Sequence, residues 1–224
     1  MVDWRRGGIG RSALASLALV LAAACGQGQE PASAAEGPTP RSEANEEGEL
    51  RTPPILQEFS IGGDFELTDH TGTPFRLADH RGEVFLMFFG YTACPDFCPA
   101  TMSLLARVQE RLGDRGELVT TLFISLDPQR DTPEKLAQYL DFFDLNARAL
   151  TGIPAQIDAV VPQYAARYEV EQTESAGGPL FAHTTYIYLI DGQGRVVYTF
   201  MHNDTPRFIA AGVELALDGV VGGS

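Results

Sequence analysis

Two cysteines separated by three residues are the part of this sequence best suited to chemistry. Cys94 and Cys98 lie in "GYTACPDFCP", residues 90–99, and the 224-residue chain has one further cysteine, Cys25. A proline follows each cysteine of the pair, and because a helix tolerates proline only in its first turn, the next helix should begin near Pro99. The unpaired N–H groups and the positive dipole end of such a helix favour a thiolate, which is both a nucleophile and a soft metal ligand.

Four kinds of site are open for this pair: a structural disulfide, a redox dithiol, a catalytic thiol and a metal site. A disulfide would close a loop of only five residues and would stabilise little. Thioredoxin-type motifs have two residues between their cysteines instead of three. Peroxiredoxins need a threonine three residues before the reactive cysteine, where this chain has Tyr91 or Pro95, and no papain-like signature is present. The strong remaining alternative is a metal held by both sulfurs and a third ligand.

The elements that must position these cysteines alternate between strand and helix. Four segments are predicted to be strands: 83–91, which is a continuous apolar run, and 118–126, 184–191 and 195–200. Four segments show helical spacing: residues that follow Cys98, residues that follow Asp131 or Thr132, residues 154–167, and a last segment around Ala211. A β-hairpin is predicted within 65–77, with its tip at Thr71-Gly72. This order predicts an α/β, thioredoxin-like fold with an added N-terminal β-hairpin.

A third metal ligand must come from outside the motif, and the chain has four histidines. His70 and His80 are predicted to be solvated residues of the hairpin and its exit loop. His202 and Met201 follow a strand and are interpreted as incidental, although together they offer ligands for copper. His183 directly precedes a predicted strand, and in a thioredoxin-like sheet that loop faces the helix terminus that carries the cysteines. His183 is therefore the predicted third ligand.

Three motifs in this sequence carry a resemblance to a known family. "GYTACPDFCP", "ISLDPQRDTPEKLAQYL" (124–140) and "HTTYIYLIDGQGRVV" (183–197) resemble, in the same order, the SCO/SenC copper chaperones that serve the assembly of cytochrome c oxidase. The similarity covers roughly residues 58–217. It implies a copper site, for Cu(I) or Cu(II), formed by Cys94, Cys98 and His183.

Two further positions are interpreted through the same resemblance. Asp127 matches an acidic residue near the family's site and is expected to support it as a second-shell residue. Ala182 is a departure, because many members have Asp before the histidine, which leaves the orientation of the imidazole less fixed. The ligand chemistry agrees, since two thiolates and an imidazole suit copper, whereas Mg or Ca would prefer oxygen and structural zinc usually takes four ligands.

The resemblance implies a metallochaperone that delivers copper to the copper-centre subunit of cytochrome c oxidase, with other copper chaperones as further partners. The alternative is a thiol–disulfide oxidoreductase that reduces the cysteines of that same acceptor, in which case Cys94 and Cys98 are catalytic. A copper or redox sensor is a third, weaker hypothesis. The net charge of −14 argues against nucleic acid as a partner.

The first 25 residues are predicted to be a signal peptide of the bacterial lipoprotein type, with Cys25 as the lipidated residue. Arg5, Arg6 and Arg11 precede a short apolar run, 13–24, that is too short to span a bilayer comfortably. Residues 26–57 are predicted to be a disordered tether because they are rich in Pro, Ala, Gly and Glu, and residues 58–224 are predicted to be the folded domain. The predicted location is the periplasmic face of the bacterial cytoplasmic membrane.

We expect deletion of residues 26–50 to leave the thermal unfolding midpoint of the domain unchanged. The segment has almost no large apolar side chain with which to join a core. Calorimetry of the two proteins measures this, and a clear loss of stability in the shortened protein would mean that the tether packs against the domain.

Overall fold

A seven-stranded mixed sheet forms the centre of the structure, a computed structural model that describes residues 53–172 and 178–219. These residues belong to the larger of two compact units, Ala44–Ser224. The smaller unit, Met1–Glu43, lies outside the described residues, and so do the predicted signal peptide, Cys25 and most of the predicted tether. Within the described ranges, every helix is too short or too polar to cross a bilayer.

Nine strands and four α-helices make up the regular structure of these residues. The strands are β1 (Glu66–Asp69), β2 (Pro74–Arg76), β3 (Val84–Gly90), β4 (Val119–Ser125), β5 (Ala147–Thr151), β6 (Tyr168–Glu171), β7 (Leu180–His183), β8 (Ile187–Ile190) and β9 (Val196–Phe200). The helices are α1 (Phe97–Leu112), α2 (Pro133–Leu140), α3 (Pro154–Gln163) and α4 (Pro206–Leu217).

The large sheet has the strand order β2-β1-β5-β4-β3-β8-β9. Strands β3, β4 and β5 are parallel to one another, whereas β8, β9, β1 and β2 pair antiparallel with their neighbours. Strands β6 and β7 form a separate two-stranded antiparallel sheet. Parallel central strands with crossover helices and an antiparallel β8–β9 pair are the arrangement of a thioredoxin-like α/β fold.

Strand β3 is buried at every residue because it supplies side chains to two cores. Leu86 and Phe88 face the first core, which also contains Met102 of α1 and Val213 of α4. Phe85, Met87 and Phe89 face the second core. That core also contains Ile157 of α3, Leu67 of β1 and Phe75 of β2. A strand covered on both faces has no polar side to alternate with its apolar one, which explains the continuous apolar run in the sequence.

Four elements differ from the sequence predictions. β5 and the β6–β7 pair were not predicted. Helix α3 ends at Gln163 instead of extending to Arg167, because Ala165 adopts a left-handed φ of 51° that ends the helix. Of the two predicted caps of α2, Thr132 is the N-cap, and its hydroxyl accepts the N–H of Lys135 at 3.4 Å.

Asp131 does not cap α2 but accepts hydrogen bonds from other segments. Its side chain is fully buried. It accepts hydrogen bonds from the Thr92 N–H at 2.9 Å, the Thr92 hydroxyl at 2.5 Å and the Ser125 hydroxyl at 2.7 Å. The ammonium group of Lys135 lies 3.3 Å from the same carboxylate. Asp131 therefore ties together the loop after β3, the end of β4 and the first turn of α2.

We expect Asp131→Ala to lower the free energy of unfolding by about 2–4 kcal/mol, because it leaves several buried donors without an acceptor. Denaturant unfolding measures the loss. Asp141→Ala, at an exposed position on the end of α2, is the matched control and should change stability by less than about 0.5 kcal/mol. Equal effects of the two substitutions would show that the buried carboxylate does not hold these segments.

Candidate metal centre

Cys94 lies in the loop that connects β3 to α1 and is half-buried. Its N–H donates to the carbonyl oxygen of Tyr91 at 3.2 Å, and its sulfur accepts the N–H of Cys98 at 3.4 Å. The sulfur is thus placed at the N-terminal end of α1, where unpaired N–H groups stabilise negative charge.

Cys98 is the second residue of α1 and is buried, with 1% of its surface exposed. The helix begins at Phe97, two residues earlier than predicted, and Pro99 is accommodated in the first turn, where its missing N–H leaves no intrahelical bond unmade. The Cys98 sulfur packs against Gly90 at the end of β3. A Cβ at position 90 would lie 2.8 Å from this sulfur and 2.6 Å from the Phe123 ring, so the close approach requires glycine.

The two thiols have opposite tendencies to ionise. A hydrogen bond from the Cys98 thiol, with help from the N–H groups of Asp96 and Cys98 and from the charge of His183, lowers the pKa of Cys94 to about 5. The same hydrogen bond, together with burial, raises the pKa of Cys98. The described pair is therefore a thiolate at Cys94 that accepts a hydrogen bond from a thiol at Cys98.

His183 is the last residue of β7, not the residue before a strand as predicted, since β8 begins only at Ile187. Its Nε2 lies 4.0 Å from the Cys98 sulfur, and its Nδ1 lies 2.9 Å from the carbonyl oxygen of Thr184. Because a carbonyl oxygen can only accept, Nδ1 carries a hydrogen, and in the neutral imidazole Nε2 then has the free lone pair. The backbone carbonyl of Thr184 thus orients the imidazole.

The three predicted ligand residues come together at one end of the large sheet. Bonds of about 2.3 Å to sulfur and about 2.0 Å to nitrogen, as in zinc sites, place two ligand atoms about 3.5–3.8 Å apart. The 4.0 Å between Cys98 and His183 is slightly longer, and no three His, Cys, Asp or Glu side chains within 53–172 and 178–219 already form a metal-binding cluster. Neither cysteine is in a disulfide, so both sulfurs are available as ligands for a soft metal.

Asp127, the predicted supporting residue, directs its buried carboxylate toward the guanidinium group of Arg130. Its N–H donates to the Ser125 hydroxyl at 3.0 Å. Arg130 in turn donates to the carbonyl oxygen of Pro179 at 2.7 Å, immediately before β7. Asp127 is therefore connected to the histidine strand through Arg130.

Sequence reasoning missed Tyr91 as a residue of the site. Its hydroxyl accepts the N–H of Phe181 at 3.3 Å, and its ring lies edge-on to the His183 ring at 6.3 Å between centroids. Burial raises the pKa of this phenol. Tyr91 stands inside the cysteine motif, but a tyrosine after a buried strand gives no signal that it will contact a distant strand.

The other histidines lie outside the group of three. His202 packs edge-on against Phe97 at 5.2 Å, and the side chain of Met201 beside it is exposed. His70 and His80 are half-buried instead of solvated as predicted. The Nδ1 of His70 accepts the N–H of Ala149, and the ring of His80 stacks on Phe75 at 4.6 Å.

We expect iodoacetamide to alkylate Cys94 selectively, with a rate that is constant above about pH 6 and falls as the pH drops through about 5, because only the thiolate reacts. Mass spectrometry after a pH series measures this. Cys98→Ala removes the thiol donor and should move the midpoint upward, toward an ordinary cysteine pKa. Equal alkylation of both cysteines with a midpoint near 9 would contradict the assigned asymmetry.

Comparison with known proteins gives a consistent family relationship. A model of the SCO1/SenC family matches residues 54–218. An SCO2-like protein of Rickettsia felis is 34% identical over 170 residues, which cover 71% of this chain and 83% of that protein. Protein SenC of Rhodobacter capsulatus is 36% identical over 162 residues, which cover 71% of this chain and 72% of SenC.

A solved structure extends the relationship to the fold. The structure of Bradyrhizobium japonicum ScoI with copper bound is 38% identical and superposes with a TM-score of 0.65, covering 70% of this chain and 99% of ScoI. The predicted thioredoxin-like fold and the predicted family are therefore confirmed. The positions of Cys94, Cys98 and His183 lie within the matched range. The chain belongs to the SCO1/SenC family.

Proposed function

We propose that this protein is a copper chaperone that binds one copper ion through the sulfurs of Cys94 and Cys98 and the Nε2 atom of His183. The observation that carries the proposal is the juxtaposition of these three atoms. The Cys98 thiol is hydrogen-bonded to Cys94, and its sulfur lies 4.0 Å from a nitrogen whose lone pair is free. The copper bound to ScoI, a relative of 38% identity, supports copper as the ion.

The ligand set explains why copper would be held and also released. Two thiolates and an imidazole are soft and borderline ligands, which suit Cu(I) and also allow Cu(II). Cys94 is only half-buried, and its loop is the exposed side of the site, whereas Cys98 is enclosed between α1 and β3. An ion held by three ligands with one accessible side can be taken over by the ligands of an acceptor.

The proposed acceptor is the copper-centre subunit of cytochrome c oxidase, as the family resemblance implies, with other copper chaperones as suppliers of the ion. The proposed location is the periplasmic face of the cytoplasmic membrane, where a lipid on Cys25 would anchor the chain. The basic start, the short apolar run and the cysteine of the first 25 residues support this anchor.

A thiol–disulfide reductase is the second candidate, and the thiolate–thiol pair favours it. The Cys94 thiolate would attack an acceptor disulfide and form a mixed disulfide, and Cys98 would then resolve it, leaving the acceptor reduced and the pair oxidised. This reaction needs the two sulfurs but not the imidazole, so His183 separates the two hypotheses.

We expect the purified protein to bind about one copper ion per chain and to show intense sulfur-to-Cu(II) charge-transfer absorption. Cys94→Ser or Cys98→Ser should abolish the absorption. His183→Ala should weaken Cu(II) binding by more than about 100-fold, because the loss of an outer-sphere partner alone costs about 10–100-fold. His202→Ala is the matched control and should bind copper as the parent does.

Two outcomes would contradict the proposal. A Cys94→Ser/Cys98→Ser protein that binds copper as well as the parent would show that the ligands are elsewhere. In cells, His183→Ala should block assembly of the oxidase while the cysteines still cycle between thiol and disulfide. Normal assembly in cells whose protein has lost copper would favour the reductase.

A further inference from the structure

Arg130 connects the segment that precedes the histidine strand to the sheet end that carries the cysteines. It lies in the loop between β4 and α2, and 25% of its side chain is exposed. Its Nε pairs with the Asp127 carboxylate, and its Nη2 donates to the Pro179 carbonyl oxygen at 2.7 Å. Its guanidinium carbon lies 6.0 Å from the centroid of the Phe181 ring.

The strand that receives these contacts is connected to the cysteine segment through side chains and not through backbone pairing in the large sheet. β7 starts one residue after Pro179 and ends at His183, and it pairs with β6 in a sheet separate from the seven-stranded one. Backbone pairing within that small sheet fixes His183 relative to β6 but not relative to the sulfurs at the end of β3. β7 also contacts Tyr91 of the cysteine motif, whose hydroxyl accepts the Phe181 N–H and whose ring lies 4.9 Å from the Phe181 ring and 6.3 Å from the His183 ring.

Space for the guanidinium group is provided by the backbone on the β7 side. Gly178 adopts a φ of +75°, and a Cβ there would lie 2.5 Å from Nη1 of Arg130. The arginine is therefore enclosed by Gly178, Pro179 and Phe181 on one side and by Asp127 on the other. A rigid, planar fork of donors can serve a carboxylate and a carbonyl at once while it stacks on a ring, which a lysine ammonium group cannot do.

We infer that Arg130 is a positioning residue for copper binding, which holds β7 so that the imidazole of His183 faces the two sulfurs. Asp127 acts through it by fixing the direction of the guanidinium group. This role explains how an acidic residue can support the site while its carboxylate points to an arginine and not to a ligand. The inference rests on the proposed function, since it assumes that His183 is a copper ligand.

A double-mutant cycle on Cu(II) affinity tests the inference. Arg130→Met should weaken Cu(II) binding by about 10–100-fold, the usual cost of losing an outer-sphere partner, and should reduce the nitrogen hyperfine signal in the electron paramagnetic resonance spectrum. In the His183→Ala background the same substitution should change affinity by less than about 2-fold, because a residue that acts only through His183 has nothing left to position.

Arg148→Met is the matched control. Arg148 also pairs with a buried aspartate, Asp69, and also lies over an aromatic ring, Phe75, at 5.9 Å, but it lies on β5. The Arg148→Met variant should bind Cu(II) with the affinity of the parent. Arg130→Lys, which keeps the charge and most of the volume, and Asp127→Asn should weaken binding in the same direction as Arg130→Met. Arg130→Lys and Asp127→Asn test the inference if Arg130→Met does not fold.

The inference is overturned if Arg130→Met weakens binding equally in the two backgrounds, or if it and Arg148→Met have equal effects. It is also overturned if Arg130→Lys and Asp127→Asn both fold and bind copper as the parent does. A failure of the proposed function looks different: His183→Ala alone would then leave Cu(II) affinity unchanged.

Discussion

The buried carboxylate of Asp131 is the interaction on which the position of the cysteine loop depends most. Strands β3 and β4 are parallel, so their carboxyl ends meet at the same edge of the sheet, and the loops that follow them must pack side by side. Asp131 accepts hydrogen bonds from Thr92 in the first loop and from Ser125 at the end of β4. With the loop fixed in this way, Cys94 can place its sulfur over the first turn of α1.

The proposed ligands belong to two parts of the fold that are built separately. Cys94 and Cys98 follow a central strand and are held by the large sheet and by the first turn of α1. His183 ends a strand of the small two-stranded sheet. The sulfurs are therefore positioned by sheet pairing and core packing. The imidazole is positioned by a few side-chain contacts between the two sheets.

The sequence predicts those parts of the fold in which the burial of a residue can be inferred from the residues next to it in the chain. A continuous apolar run predicts β3, which is covered on both faces, and apolar and β-branched residues predict β4 beside it. β5, in contrast, contains Arg148 and two alanines in a strand of five residues, and Thr151 is its single β-branched residue, so its composition does not indicate a strand.

The residues of the candidate site also fall into those that the sequence predicts and those that it does not. The cysteine pair and His183 stand out by residue type and spacing, and the family resemblance selects the same three. Tyr91, Arg130 and the task of Asp131 do not stand out, because each depends on a contact with a segment that is distant in sequence. Phe181, for example, is 90 positions away from Tyr91. Only the folded chain brings such partners together.

The different ionisation of the two cysteines has a consequence for metal loading. An arriving cation meets a thiolate at Cys94 and, on a neutral imidazole, the Nε2 lone pair of His183, so the proton on Cys98 is the one that has to leave. The negative charges of Cys94 and Asp131 help to raise the pKa of Cys98, which means that they disfavour a second thiolate unless positive charge is added beside it. A proton supplies that charge in the metal-free pair, and in the proposed complex a copper ion supplies it instead. The same electrostatics that keep Cys98 protonated therefore favour a cation once one is bound.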